Sequence, residues 1–199
     1  LWKVSAVNEI VRNCWDEKVW PLYNEWVQDK TNEILQRDNL SDSLRHIYNQ
    51  MNIGTIYYEG WGYYATAEYD KSIASFSTCK DRYQEIGDAQ GAANSLDNIG
   101  SVYSTIGEFA IALEYHMQGL KIREEIQDTL GLGASYNAIG IVHMSHGDYF
   151  RAIEDFETAA EFHVQVGFWS GVSNAYSNIG KILTDLGDYE QALEFHLES

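Results

Sequence analysis

The chain has 199 residues, 45% of them hydrophobic and 22% charged, with a formal net charge of -17. That composition belongs to a soluble globular protein with enough apolar side chains for a continuous core. The acidity argues against nucleic acid or anionic membrane as the partner, since both demand basic surface.

In chain order, residues 1–43 hold two candidate helices, over 2–17 and, after the single proline Pro21, from Leu22 to about Arg37. The pair has the size of a degenerate repeat or a cap, and Trp2, Trp15, Trp20 and Trp26 suit packing onto the first full repeat. Residues 44–90 read as a helix through Ile53, Gly54 and Tyr57, then a second from Tyr69 through Phe76. Between them lies an aromatic run that includes Tyr58, Trp61, Tyr63 and Tyr64.

From residue 91 the pattern is regular. Ala92, Ala93, Leu96, Ile99, Gly100 and Tyr103 recur at three- and four-residue steps, the apolar stripe of a helix, here helix A. Ile106-Gly107-Glu108 breaks the stripe, and it resumes from Phe109 through Ala112, Leu113, His116 and Leu120 as helix B. The same A–turn–B layout recurs over 131–170 and again over 171–199, where it stops inside helix B. Gly100, Gly140 and Gly180 stand 40 residues apart, as do Gly107, Gly147 and Gly187. A fixed period of this length marks one helical hairpin stacked on copies of itself. Small residues at Gly100 and Ala112 allow the two helices of a hairpin to approach closely.

Asn98-Ile99-Gly100, Asn178-Ile179-Gly180, Gly147-Asp148-Tyr149 and the run Gly187-Asp188-Tyr189-Glu190-Gln191-Ala192-Leu193 resemble the tetratricopeptide repeat. The period of 40 is similar to that of the long-helix subclass seen in kinesin light chains and bacterial signalling proteins. The resemblance spans residues 44–199, about four repeats: 44–90, 91–130, 131–170 and 171–199, the last truncated. It implies an all-α fold, a right-handed solenoid of antiparallel helix pairs with A helices lining the inner face. The Asn-Ile-Gly match sets Gly54 against Gly100, which leaves about six extra residues near 58–66 as a loop between the helices. A gapless alternative sets Gly60 against Gly100 and Tyr63 against Tyr103 but loses that match. The insertion is the preferred reading here.

By the same resemblance, four positions per repeat face the groove. They are Asn94, Asp97, Ser101 and Ser104; then Asn137, Ile141 and Met144 beside Ala134; then Asn174, Ser177 and Lys181 beside Thr184. In the first repeat they would be Tyr48, Met51, Thr55 and Tyr58. Segments 90–105, 130–145 and 170–185 hold two acids and one base, whereas 108–128, 148–166 and 188–199 hold 14 acids and three bases. The negative charge therefore falls on B helices and leaves a nearly neutral groove of Asn, Ser and apolar side chains. Domains of this family that grip a C-terminal carboxylate use Lys and Arg there, and only Lys181 is offered here. The expected partner is a protein or peptide, because amides bind main-chain groups without requiring charge. Trp61, Tyr63 and Tyr64 form a further candidate patch, which either anchors the partner or packs on itself.

No nucleophile, phosphate-loop or zinc-protease pattern appears, so the reading is non-catalytic, with no cofactor and no metal. His143 shares its repeat slot with Tyr103 and Leu183, and His116 and His196 share theirs with Phe156, which assigns them to packing. Cys79 falls at a small-residue core slot shared with Gly119 and Ala159. Cys14 and Cys79 show no disulfide framework, residues 1–20 carry charges, and no apolar run nears the ~20 residues of a membrane span. A cytoplasmic setting is expected. The alternative function is a sensory or regulatory segment of a larger signalling protein such as a histidine kinase, a nucleotide cyclase or a regulated protease. The open helix B over 185–199 is expected to support weak self-association, and the parent chain to continue.

Overall fold

The computed structural model describes residues 20–198, side chains over 22–197, and among them nine α-helices and no strand. The expected helix over 2–17 lies outside the described residues, with Trp2, Cys14 and Trp15. Two units divide the chain, residues 1–88 and 89–199.

In the first unit α1 spans Trp20–Leu35, α2 Asp42–Ala65 and α3 Tyr69–Glu85. Helix α2 packs against both others. Ser41 caps it, accepting from the Leu44 amide at 3.4 Å. Asn52 fixes α2 on α1, donating to Thr31 Oγ1 at 2.8 Å and to Asn32 Oδ1 at 3.0 Å. Its oxygen accepts from Arg82 on α3. Ile53, Ile56 and Cys79 form the core between α2 and α3. Trp26, expected to pack, is exposed on α1.

The loop expected near 58–66 is absent, because α2 runs unbroken to Ala65. The gapless register is the one the structure adopts. A Cβ on Gly60 would stand 2.8 Å from Phe76, as one on Gly100 would from His116, on Gly140 from Phe156 at 2.9 Å and on Gly180 from His196 at 2.7 Å. These four close approaches share the 40-residue period. Gly54 has open space where its Cβ would be, so the local Asn-Ile-Gly match is not a packing match. The additional length of α2 lies at its N-terminal end. There Arg45 donates to the Leu35 and Arg37 carbonyls at 2.9 and 3.2 Å.

In the second unit α4 spans Ala89–Thr105, α5 Phe109–Ile126, α6 Thr129–His146, α7 Tyr149–Gln165, α8 Trp169–Leu186 and α9 Tyr189–Glu198. Each helix packs on the next, and α6 also touches α4 and α8. The A helices α4, α6 and α8 thus form an adjoining row, with B helices α5, α7 and α9 beside it. Gly107, Gly147 and Gly187 end the A helices at φ of 85°, 86° and 84°, a left-handed conformation that costs glycine little. Asp148 and Asp188 then cap the B helices through the Arg151 and Gln191 amides, both at 3.3 Å. Phe156, Ala160, Val172, Ala175, Ile179 and Ile182 belong to the core that joins α7 to α8.

Candidate functional site

In the second unit, Asn94, Asn174, Ile141 and Lys181 are exposed on the A helices, with Ala134 and Thr184. Asp97, Ser101, Ser104, Asn137, Met144 and Ser177 are half-buried. In each set the first position, Asn94, Ala134 or Asn174, is exposed and the second, Asp97, Asn137 or Ser177, is half-buried, because the helical period turns one to solvent and the other toward the neighbouring A helix. Ser101 spends its hydroxyl on the Asp97 carbonyl at 2.9 Å, and Asn137 accepts from Asn178 at 3.4 Å across the α6–α8 contact. Met144 packs against the core.

The polar character of this face rests on a residue assigned by charge counting to the outer helices. Arg123 of α5 is only 3% exposed. Its guanidinium passes between α4 and α6. Nη2 donates to Asn94 Oδ1 at 2.7 Å, and Nη1 donates to Asp97 Oδ2 and to Ser135 Oγ. Asp97's other oxygen lies 3.0 Å from His116 Nδ1. Asp128, which caps α6 through the Gly131 amide at 2.9 Å, stands 4.0 Å from Arg123 Nε. Glycine at 131 makes the passage possible, since a Cβ there would stand 2.5 Å from the Arg123 side chain. Asp97 is therefore already matched by a buried cation and is not a free acid for a basic partner. Removing one member of such a buried pair costs about 3–5 kcal/mol, because the other charge is left without its partner.

One period further along, His163 takes the slot of Arg123. Its ring is wedged against Gly133 and Gly171, where Cβ atoms would meet it at 2.6 and 2.5 Å, and sits edge-on to Phe168 at 5.2 Å. Nδ1 has no hydrogen-bond partner among the described residues, and burial pushes the imidazole below its ordinary pKa. Tyr83 holds this slot in the first unit, its phenol pushed up to about 12 by burial above all.

The first-repeat groove residues need correction. Tyr48 and Thr55 are only 6% and 2% exposed, and Asn24 of α1 donates to the Thr55 carbonyl at 3.0 Å. Both residues are therefore buried. Met51 and Tyr58 are half-buried. In the 40-residue register the slots of Asn94, Asp97, Ser101 and Ser104 fall instead on Gly54, Tyr57, Trp61 and Tyr64. Trp61 is edge-on to Phe76 at 5.5 Å, to Tyr64 at 5.3 Å and to Tyr57 at 6.4 Å. Tyr63 lies beneath the Lys71 ammonium at 5.2 Å. The rings of Tyr57, Trp61 and Tyr64 form an edge-to-face cluster that rests on the α3 core residue Phe76.

Among the remaining candidates, His143 hydrogen-bonds Asp155 at 2.6 Å, where the neighbouring repeat stacks Tyr103 on Tyr115 at 5.5 Å. Burial is the larger influence on Asp155 and raises its carboxyl above the usual range against the opposing effect of His143. Cys79 is buried, and its thiol is pushed up to about 12, chiefly by burial, which leaves it a poor nucleophile. Among the described residues no three metal-ligating side chains stand together, and no helix is long and apolar enough to cross a membrane.

Comparison with curated protein sequences returns no significant match. Solved structures do match. BtubC (BKLC) from P. vanneervenii superposes with a TM-score of 0.73 at 15% identity, over 96% of this chain and 75% of its own. A Rap protein complexed with competence and sporulation factor gives 0.66 at 15% identity, over 96% of this chain and 55% of its own. A Podosopora anserina kinesin light chain with nearly identical TPR-like repeats gives 0.61 at 12% identity, over 98% and 92%. At these identities the likeness establishes a shared all-α repeat solenoid. The tetratricopeptide repeat model matches residues 62–125 and 131–199, well over half the chain. With the recurring hairpins, their shared glycine contacts and this match, the chain belongs to the tetratricopeptide repeat family.

Proposed function

We propose that the chain is a non-catalytic protein-interaction scaffold, and that the solvent side of α4, α6 and α8 holds an extended peptide segment of a partner. The observation that carries this reading is the division of charge. The A-helix face offers Asn94, Asn174, Ser101, Ile141 and Lys181, and its one half-buried acid, Asp97, is compensated by Arg123. A face of amides and small polar groups suits main-chain recognition, while the acidic B helices remain solvated. The Rap protein, of the same fold, is known in complex with competence and sporulation factor, which lends the reading support by fold alone. The rings of Trp61, Tyr63 and Tyr64 are assigned to holding α2 on α3 rather than to the partner.

A peptide selected from a random display library on the whole chain provides the test. Ile141→Arg should weaken it at least tenfold with the melting temperature unchanged, while Glu154→Lys on α7 leaves it unaffected. Selected peptides that respond to Glu154→Lys and ignore Ile141→Arg would overturn the reading. The same face is read as serving another protein; weak self-association is placed separately, on the exposed Tyr189, Leu193 and Leu197 of α9.

A further inference from the structure

Arg123 does more than neutralise Asp97: it settles which way the Asn94 amide points. A guanidinium carries five N–H donors and no acceptor. The Asn94 atom facing Arg123 Nη2 at 2.7 Å must therefore be the oxygen. The amide nitrogen is turned the other way, on a side chain exposed to solvent at the edge of the A-helix row. Arg123 cannot easily release its hold, because the same guanidinium is bound to Asp97 on α4 and Ser135 on α6 and is closed over by the Cβ-free surface of Gly131. A free asparagine offers one acceptor and two donors, and can rotate to suit either kind of partner group. Asn94 is held in one orientation, with its acceptor engaged.

We propose that Asn94 is a dedicated hydrogen-bond donor for a main-chain carbonyl of the bound segment, and that buried Arg123 is the positioning residue that makes it one. This rests on the peptide-binding reading of the same face and adds a polarity to it. The slot prefers an acceptor, and the neutral Asp97–Arg123 pair beneath it gives no reason to require a charge. The equivalent slot holds Ala134 in the next repeat and Asn174 in the one after, and among the described residues it is Asn94 whose amide oxygen a guanidinium holds.

The experiment uses the whole chain and a probe without side chains, N-acetyl-tetraglycine N-methylamide, followed by the side-chain amide and backbone resonances of the A helices. In the wild type the probe should shift the Asn94 amide protons saturably. Asn94→Asp keeps the oxygen that Arg123 grips but has no donor, and should weaken the probe at least tenfold with no loss of melting temperature. Arg123→Met should move both Asn94 amide proton resonances toward those of an unconstrained asparagine side chain and weaken the probe; should that variant fail to fold, Asn94→Asp alone decides. Undiminished binding by Asn94→Asp would overturn the proposal. So would shifts at Ser101 and Asn137 that leave Asn94 untouched, in which case the groove reading stands and the donor role falls. No shift anywhere on α4, α6 or α8 at saturating probe would overturn both.

Discussion

Two side chains sit in a backbone conformation that suits glycine better. Ala67 and Gln127 have φ of 58° and 56°, where the equivalent turns use Gly107 and Gly167 at 85° and 69°. The left-handed region costs a residue with a Cβ about 1–2 kcal/mol, partly offset by the greater unfolded freedom of glycine. Ala67→Gly and Gln127→Gly should each raise stability by up to about 1 kcal/mol in thermal or denaturant unfolding; a loss would show that local contacts outweigh the strain. His163 predicts a pH dependence. Its folded pKa lies below the ordinary 6.5, so on acidification the unfolded chain takes up the proton first. This residue's contribution is full above about pH 6.5 and is lost as pH falls through the folded pKa. Replacing His163 with Gln should flatten that acid-side slope, and an unchanged slope would assign it elsewhere.

At the scale of the helical hairpin, most of the fold was legible in the spacing of residues. Gly100, Gly140 and Gly180 mark where the A and B helices touch, and a Cβ at Gly140 would come within 2.9 Å of buried Phe156. Gly140→Ala should therefore destabilise by about 1–3 kcal/mol, against a helix-propensity gain of at most about 1, as chemical denaturation would measure. The first hairpin was misread because three adjacent residues, Asn52-Ile53-Gly54, outweighed the long-range period. A local match reports which residues follow one another in a helix, whereas Gly60 against Phe76 reports which helices touch. Once α2 is continuous, the aromatic run becomes an A-helix stripe seated on that contact. Trp61→Ala is then expected to cost about 2–4 kcal/mol of stability. A melting temperature that stayed put would make Trp61 a partner anchor instead.

The Arg123 network was not legible for a related reason. A cation counted on a B helix looks like surface charge, and only the packing of three helices reveals that it crosses to the other face. A partial signal existed, since Tyr83, Arg123 and His163 share one slot of the period and all three are large polar groups. Groove residues carried over by resemblance fared according to register: those of the second unit stay at the A-helix surface or between A helices, while Tyr48 and Thr55 are buried.

For the molecule as a whole, the net charge of -17 keeps copies apart, while Tyr189, Leu193 and Leu197 of α9 are 71%, 60% and 78% exposed. Their counterparts Tyr149 and Ile153 pack against the core that joins α7 to α8. An apolar strip of this kind supports weak association, held back by charge at low salt. Sedimentation should show a weight-average mass that rises with concentration and with salt, and Leu193→Lys should abolish the rise; a fixed monomer mass would contradict it. In the proposed reading a peptide partner binds the neutral A-helix face instead. The decisive measurement is the chemical-shift map of a library-selected peptide on the whole chain. Shifts should concentrate at Asn94, Ser101, Asn137, Ile141 and Lys181. Shifts confined to α5, α7 and α9 would place the partner on the acidic outer helices and contradict the neutral-face reading.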